Sequence, residues 1–419
     1  MISGDVRRDF VLLIASRVCT RTGDGFLRVL SVLLVAEKSK DPMMAGLVLV
    51  FRYVCEVLIN AISGPVVDRL RIRTSLMVSD LSRTVLGLLL VASVLLGYPY
   101  AVYLALSFLG DFVFIFFKPA VDKVVKVSFP VVQGTKILSY VDAANNMSNI
   151  TGYALASLVV GWMGSTVAVM FGPVFFFLSL LFVFALRLQG ENVIDYARVR
   201  KKSYWASQKE GLQYTWKRLP LRLLLIGRSL VAVGRGAFTV LSVVYLNEIA
   251  KGLSAYGYFE SAQSAGKVAV TGLIIPLFFA YRSPFLLTSI SLMLISLSFF
   301  CFNLVNDVVL ACVVGAVIGV GQAAEAVGID AIVNKHADAH IQGRAKSTTS
   351  FGSRLTGLAA IGLVYFMVSS LHISARTLFA WLGVFPVLGG VVFFFGRLAE
   401  KSLDSNDTEV SEKVEAPYA

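Results

Sequence analysis

The chain has 419 residues, of which 57% are hydrophobic and 15% charged, with a mean hydropathy of +0.76. A soluble protein of this size carries about a quarter charged residues, so a water-soluble globular fold is excluded. The net charge of +12 is carried by alternate loops and by residues within apolar runs, which argues against nucleic-acid binding.

Apolar runs near 20 residues, long enough to cross about 30 Å of hydrocarbon, recur from end to end. Lipid leaves each segment to satisfy its own backbone groups, so runs of this length are helical. Twelve spans are predicted, over about 10–36, 43–66, 74–97, 99–118, 136–162, 166–187, 221–246, 254–280, 284–304, 307–331, 345–370 and 375–397. The first follows "MISGDVRRDF". It is too long for a signal-peptide core and lacks a small-residue cleavage pattern, so it counts as a span. Lysine and arginine crowd one set of alternate loops. Only Lys38, Lys40, Lys251 and Arg376 fall on the other side, which predicts that both termini are cytoplasmic.

In span one, "GDGFLRVLSVLLVAE" (Gly23 to Glu37) places Asp24 inside an apolar run. Arg17, Arg21, Asp24 and Arg28 share one stripe at about 100° per residue. Span two repeats the spacing with Arg52, Glu56 and Asn60. The loop "GPVVDRLRIR" (Gly64 to Arg73) leads to span three, where Asp80 and Arg83 near a helix end read as a structural clasp. Span four carries Asp111. In span five, Asn145, Asn146 and Asn149 suit substrate hydroxyls or amide bonds between helices equally. Residues 1–187 form the first six-helix bundle and 188–220 a basic cytoplasmic linker. Residues 221–398 form the second bundle, and the polar, acidic segment 399–419 reads as a disordered tail. The four cysteines (Cys19, Cys55, Cys301 and Cys312) lie within spans, where core packing is expected.

The second bundle copies the first at an offset of 211. "GRGAFTVLSVVYLNE" (Gly234 to Glu248) repeats the opening stretch with Arg235 in place of Asp24. Arg228 matches Arg17, Gly257 matches Gly46, Pro276 matches Pro65, and Lys267 replaces Glu56. Such an internal repeat marks a two-lobed transporter with its site near the midplane. The sign changes predict that Asp24 faces Arg235, and Glu56 faces Lys267, across the cavity. Glu325 and Arg354 add charges in spans ten and eleven. A charge inside the membrane costs at least about 2.5–3.5 kcal/mol, so each of these faces protein or water.

The bases Arg17, Arg21, Arg28, Arg52, Arg228, Arg235, Lys267 and Arg354 outnumber the acids Asp24, Glu56, Asp111 and Glu325. That excess predicts a cavity focusing its field on an anion. Asp111 and Glu325 are candidate coupling acids. "HADAH" (His336 to His340) has metal-like spacing without a convincing third ligand, and no metal or other cofactor is expected. No phosphate-binding loop or nucleophile–histidine pairing points to an enzyme.

The loop Gly64, Asp68, Arg69, Arg73 resembles the loop between spans two and three of the major facilitator superfamily. "DLSR", "KPAVDKVV", "KEGLQYTWKRLPLRLLL" and "QGRAKS" resemble its enterobactin-exporter-like branch. The resemblance implies an all-α major facilitator fold of two six-helix bundles, rocking under a proton gradient. It also implies that Asp68 and Arg69 lock the cytoplasmic side. The chain departs from the family pattern at "TGYALA", where Tyr153 follows Gly152 in place of proline, and at "PLFFAYR", where only Arg282 is left of a second loop copy. The expected protein is a monomeric carrier in a bacterial inner membrane, embedded in lipid. It moves an organic anion such as a carboxylate or catecholate siderophore, with protons as the coupling ion. A multidrug or lysophospholipid carrier is the alternative within the class, and a transport-dead receptor or scaffold the alternative outside it.

Overall fold

A computed structural model describes residues 4–39, 42–67, 71–128, 131–186, 204–250, 255–270, 283–338, 341–371 and 373–415. Among these the chain is helical, with no strand. The helices are α1 (Gly4–Ser39), α2 (Pro42–Val67), α3 (Ile72–Leu95), α4 (Tyr100–Ser128), α5 (Val131–Met163), α6 (Ser165–Ala168) and α7 (Phe171–Ala185). They continue with α8 (Tyr204–Lys217), α9 (Leu219–Ala250), α10 (Ala255–Ala269), α11 (Pro284–Phe302), α12 (Val308–His336), α13 (Gln342–Ser369) and α14 (Ala375–Glu415). With α6 and α7 as one broken span and α8 outside the count, the order agrees with twelve spans. Seven of the described segments are long and apolar enough to cross a membrane. The ionic stripe of α1 keeps that helix out of this set, although it is long enough.

Two glycines take backbone angles that side chains disfavour. Gly97 (φ 71°) closes the turn between α3 and α4, and Gly164 (φ 79°) sets α6 off from α5.

The helices fall into two compact units. The first holds residues 1–204 with 239–268 and 305–316, and the second holds 205–238, 269–304 and 317–419. The boundary therefore does not follow the split at 187–221. The later part of α9, nearly all of α10 and the start of α12 pack with the first-half helices.

In the first unit α1 lies against α5 and α7, and α2 and α3 lie against α4. The crossing of α1 and α5 is set by glycine. A Cβ on Gly152 would overlap the Thr22 carbonyl, and one on Gly25 would crowd Asn149 O and the Tyr153 ring. Gly23 does the same against Phe175 and Phe176 of α7. In the second unit Gly236 sits on the Gly357 backbone of α13, and Gly234 on Leu382 O of α14. The glycines that recur in the two copies thus make the same two contacts in each unit. Valine at Gly152 is expected to destabilise the protein by at least about 2–3 kcal/mol. The melting temperature in detergent checks this, and an unchanged value would refute the close crossing.

The linker and the tail differ from their sequence reading. Residues 204–217 form α8, docked on the second unit. Arg218 holds the Asp338 carboxylate at 2.8 and 3.2 Å, Tyr214 donates to Asp338 Oδ2 at 2.9 Å, and Gln208 donates to Ser347 at 2.6 Å. The acid of "HADAH" is thus a docking point for α8, and His336 lies 3.5 Å from Glu400. The tail is helical to Glu415 because α14 has no breaker after Gly396. Its root is pinned where Glu400 accepts from Lys335 Nζ at 2.7 Å and from Ser283 at 2.8 Å.

Burial alone would raise the Glu400 pKa. The Lys335 and Ser283 hydrogen bonds and the Lys335 and His336 charges outweigh it and hold the carboxyl below its usual 4.5. A depressed folded pKa gives stability that is present above the unfolded value and lost as pH falls through the folded one. The Tm advantage of the native protein over Glu400→Gln is expected to be full at pH 7 and to fade below about pH 4.5. A pH-independent difference would refute it.

Candidate functional site

The first unit holds a buried ionic cluster built around α1. Arg83 of α3 pairs with Asp24. Its guanidinium lies 3.8 Å over the Phe176 ring and 5.4 Å from the Phe114 centroid. Arg21 and Arg52 approach the same Phe114 ring at 5.1 and 5.5 Å. One phenyl ring thus serves three arginines, a cation–π arrangement that is worth more where water is excluded. Arg52 also binds Asp111 at 2.7 Å and lies 3.9 Å from Glu56, one turn along its own helix. Asp24, Arg52, Arg83, Asp111 and Phe176 line a cavity of about 60 Å³ with Arg28 and Ser31, room for a few waters. Asp24 Oδ2, Arg83 Nη1 and Arg28 Nε have no hydrogen-bond partner among the described residues.

Farther along α1, Arg28 joins the first half of the chain to the second. It donates to Tyr153 OH at 3.3 Å and lies 3.9 Å from Glu260 of α10. Tyr256 OH donates to the same Glu260 at 3.1 Å. Small residues make this junction possible, since a Cβ on Gly257 would overlap Ser157 and one on Gly46 would press on Val240. At the other end of the stripe Arg17 donates to Ser16 at 3.2 Å. There Asp80 accepts from Ser179 at 2.6 Å and Thr20 at 3.5 Å, a hydroxyl-lined clasp between α1, α3 and α7.

In the second unit Arg235 pairs with Glu325 of α12. Arg228 donates to Thr349 at 3.3 Å and interacts electrostatically with Glu325, Arg235 and Arg354. Arg228 thus sits near two further arginines, with Glu325 and Asp330 as the acids whose charges reach it.

Asp24 and Arg235 each find an opposite charge within their own unit, Arg83 and Glu325. Glu56 lies beside Arg52, and Lys267 donates to Gln263 at 3.3 Å. The reading of Asp80 as a clasp agrees with its contacts, whereas Arg83 reaches one turn further into the cluster. Arg83, Glu260, Tyr153 and Phe114 were missed as site residues. A signal existed for Glu260, an acid inside a predicted span, but none for Phe114, which looked like ordinary apolar filling. In the loop motif Asp68 and Arg69 lie outside the described residues, as does Arg282. Gly64 is within α2, and Arg73 donates to the Phe184 carbonyl beneath that ring.

The charge balance also changes. Adding Arg83, Asp80 and Glu260 makes the first unit nearly neutral: Arg17, Arg21, Arg28, Arg52, Arg83 and Lys267 against Asp24, Glu56, Asp80, Asp111 and Glu260. The positive excess lies in the second unit, where Arg228, Arg235 and Arg354 stand against Glu325 and Asp330 is paired with Lys346.

Two solved structures share the fold. The nucleoside transporter NupG, in a mutant form, aligns with a TM-score of 0.73 at 14% identity, over 93% of this chain and 99% of that one. An auto-inhibited POT family peptide transporter aligns with a TM-score of 0.72 at 11% identity, over 93% and 96%. No curated protein sequence matches the chain. The sequence profile of the Major Facilitator Superfamily matches residues 13–284, about two thirds of the chain. With the helical fold and the duplicated packing of α1 and α9, this shows that the chain belongs to the Major Facilitator Superfamily, whose members are secondary transporters.

Proposed function

We propose that this transporter moves an anionic small molecule by alternating access, with protons as the coupling ion. The observation that carries the reading is the group of Arg228, Arg235 and Arg354 with Glu325 and the Lys346-bound Asp330. The bases outnumber the acids there, and a low-dielectric cleft magnifies their attraction for an anion. A carboxylate or catecholate siderophore suits that charge and the resemblance to the enterobactin-exporter-like branch.

The coupling acids in this reading are Asp111 and Glu325, each already held by an arginine. Protonation of either acid would release its arginine to the substrate. The loop of Gly64, Asp68, Arg69 and Arg73 serves as the cytoplasmic gate, and the protein acts as a monomer in a bacterial inner membrane with both termini inside. The opposite end of the path closes where Arg28 meets Glu260. Those two helices belong to different halves of the chain and must part when that end opens.

A thermal-shift screen of the purified protein tests the substrate class. The panel sets ferric and apo siderophores, di- and tricarboxylates and nucleotides against cationic dyes. A ligand at a hundredfold excess over its dissociation constant stabilises the folded state by about 2.7 kcal/mol. One anion class is expected to raise the Tm, and Arg235→Gln to abolish the rise. Shifts from cationic dyes alone would overturn the reading.

A further inference from the structure

The second unit carries an apolar trough of about 700 Å³, framed by α8, α9 and α13. That volume lies within the range of small-molecule sites. Its wall is Leu212 and Trp216 of α8, Ile226 and Leu230 of α9, and Phe351 and Leu355 of α13. Several of these are open to the surroundings: Trp216 is 53% exposed, Leu355 50% and Leu212 46%. The polar atoms at the floor are already used, since Thr356 donates to Ser229 O at 3.2 Å and Thr348 to Gln208 at 3.0 Å. What is left is an apolar channel with a charged rim.

The trough is separate from the transport site. On α9 its residues centre about 140° around the helix from Arg228 and Arg235, and on α13 about 130° from Arg354. Its rim is basic. Lys209 lines the trough on the same stripe of α8 as Leu212 and Trp216, three and seven residues before them. Lys209, Lys217 and Arg222 have no ion-pair partner among the described residues. They belong to "RVRKKSYWASQKEGLQYTWKRLPLR", the most basic stretch of the chain. An amphipathic helix with tryptophan on its apolar side and lysine beside it lies at a membrane surface, and a basic juxtamembrane segment draws acidic lipid.

We propose that this trough is a binding site for an anionic phospholipid. One acyl chain lies along Leu212, Trp216, Ile226 and Leu355, and Lys209 holds the phosphate. The lipid then braces α8 against α9 and α13 and completes the second unit's surface.

Quenching of Trp216 by brominated lipid tests the site. Phenylalanine replaces Trp162, Trp205 and Trp381 in the full-length protein, so that Trp216 is the sole indole emitter. The protein is placed in phosphatidylcholine nanodiscs that hold a few mole per cent of brominated phosphatidylglycerol or brominated phosphatidylcholine. Brominated phosphatidylglycerol is expected to quench at about fivefold lower mole fraction, the advantage of one lysine near an acidic headgroup. Lys209→Gln is expected to erase that preference while leaving quenching by phosphatidylcholine in place. Equal quenching by both lipids in the Lys209 protein would reduce the trough to an ordinary lipid contact and overturn the proposal. No quenching by either would show that protein covers it and would overturn it too. Native mass spectrometry of the unmodified protein gives a second reading that does not depend on the tryptophan background. Selective retention of phosphatidylglycerol over phosphatidylcholine supports the site, and equal retention refutes it.

Discussion

Asparagine at Asp24 is expected to destabilise the protein by about 3–5 kcal/mol, the usual cost of leaving one half of a buried ion pair alone. Arg83 would be left with two aromatic rings and the charge of Asp111. Because the loss comes from a stranded charge, the double variant Asp24→Asn, Arg83→Gln should be clearly more stable than the sum of the two single changes implies. The measurement is a double-mutant cycle on detergent-solubilised protein. Additive losses would mean that the two residues do not act as a pair, and would restore Asp24 as a candidate partner for the second half of the chain.

Glutamine at Glu260 is expected to open the junction between α1 and α10. The Tyr256 hydrogen bond survives this change while the attraction to Arg28 is lost. A charge-assisted contact is worth about 1.5 kcal/mol or more, so the open population should rise by about tenfold. Ser157→Cys reports the change, because that side chain is buried against Gly257 in the closed arrangement. In a background lacking the four native cysteines, a water-soluble maleimide should label position 157 about tenfold faster when Glu260→Gln is present. Unchanged labelling would show that Arg28 and Glu260 are incidental neighbours. Arg28→Gln should give the same acceleration, and the two changes together should give little more than either alone.

Much of this architecture was legible in the sequence because it rests on strong, local signals. Lipid imposes span length, so twelve apolar runs translate directly into helices. The 211-residue repeat announced two copies, and the flanking glycines of Asp24 and Arg235 proved to be the sites of closest helix approach. The ionic stripe of α1 was visible as a 3.6-residue period. What a period cannot give is the partner across the gap. Symmetry matches Asp24 with Arg235, whereas the partners found within each unit are a base from α3 for the acid and an acid from α12 for the base. Each copy neutralises its own central charge, because pairing within a unit holds whatever the other unit does. Phe114 was unreadable for a related reason: an aromatic ring counts as apolar in any composition scale, and the ring becomes part of a site only when three guanidiniums approach it. The linker helix α8 and the helical tail were missed because their stabilising contacts, Asp338 and Glu400 among them, come from far along the chain.

The recurring glycines carry a lesson for engineering. Gly23 and Gly25 in one copy, and Gly234 and Gly236 in the other, fix how near the backbones come, while the residue between each pair changed from acid to base without disturbing that spacing. Evolution has therefore already performed a charge-reversal experiment on this scaffold. A combinatorial library that freezes those four glycines with Gly152 and Gly357, and varies positions 24 and 83 together or 235 and 325 together, would explore new cargo while leaving the chassis intact.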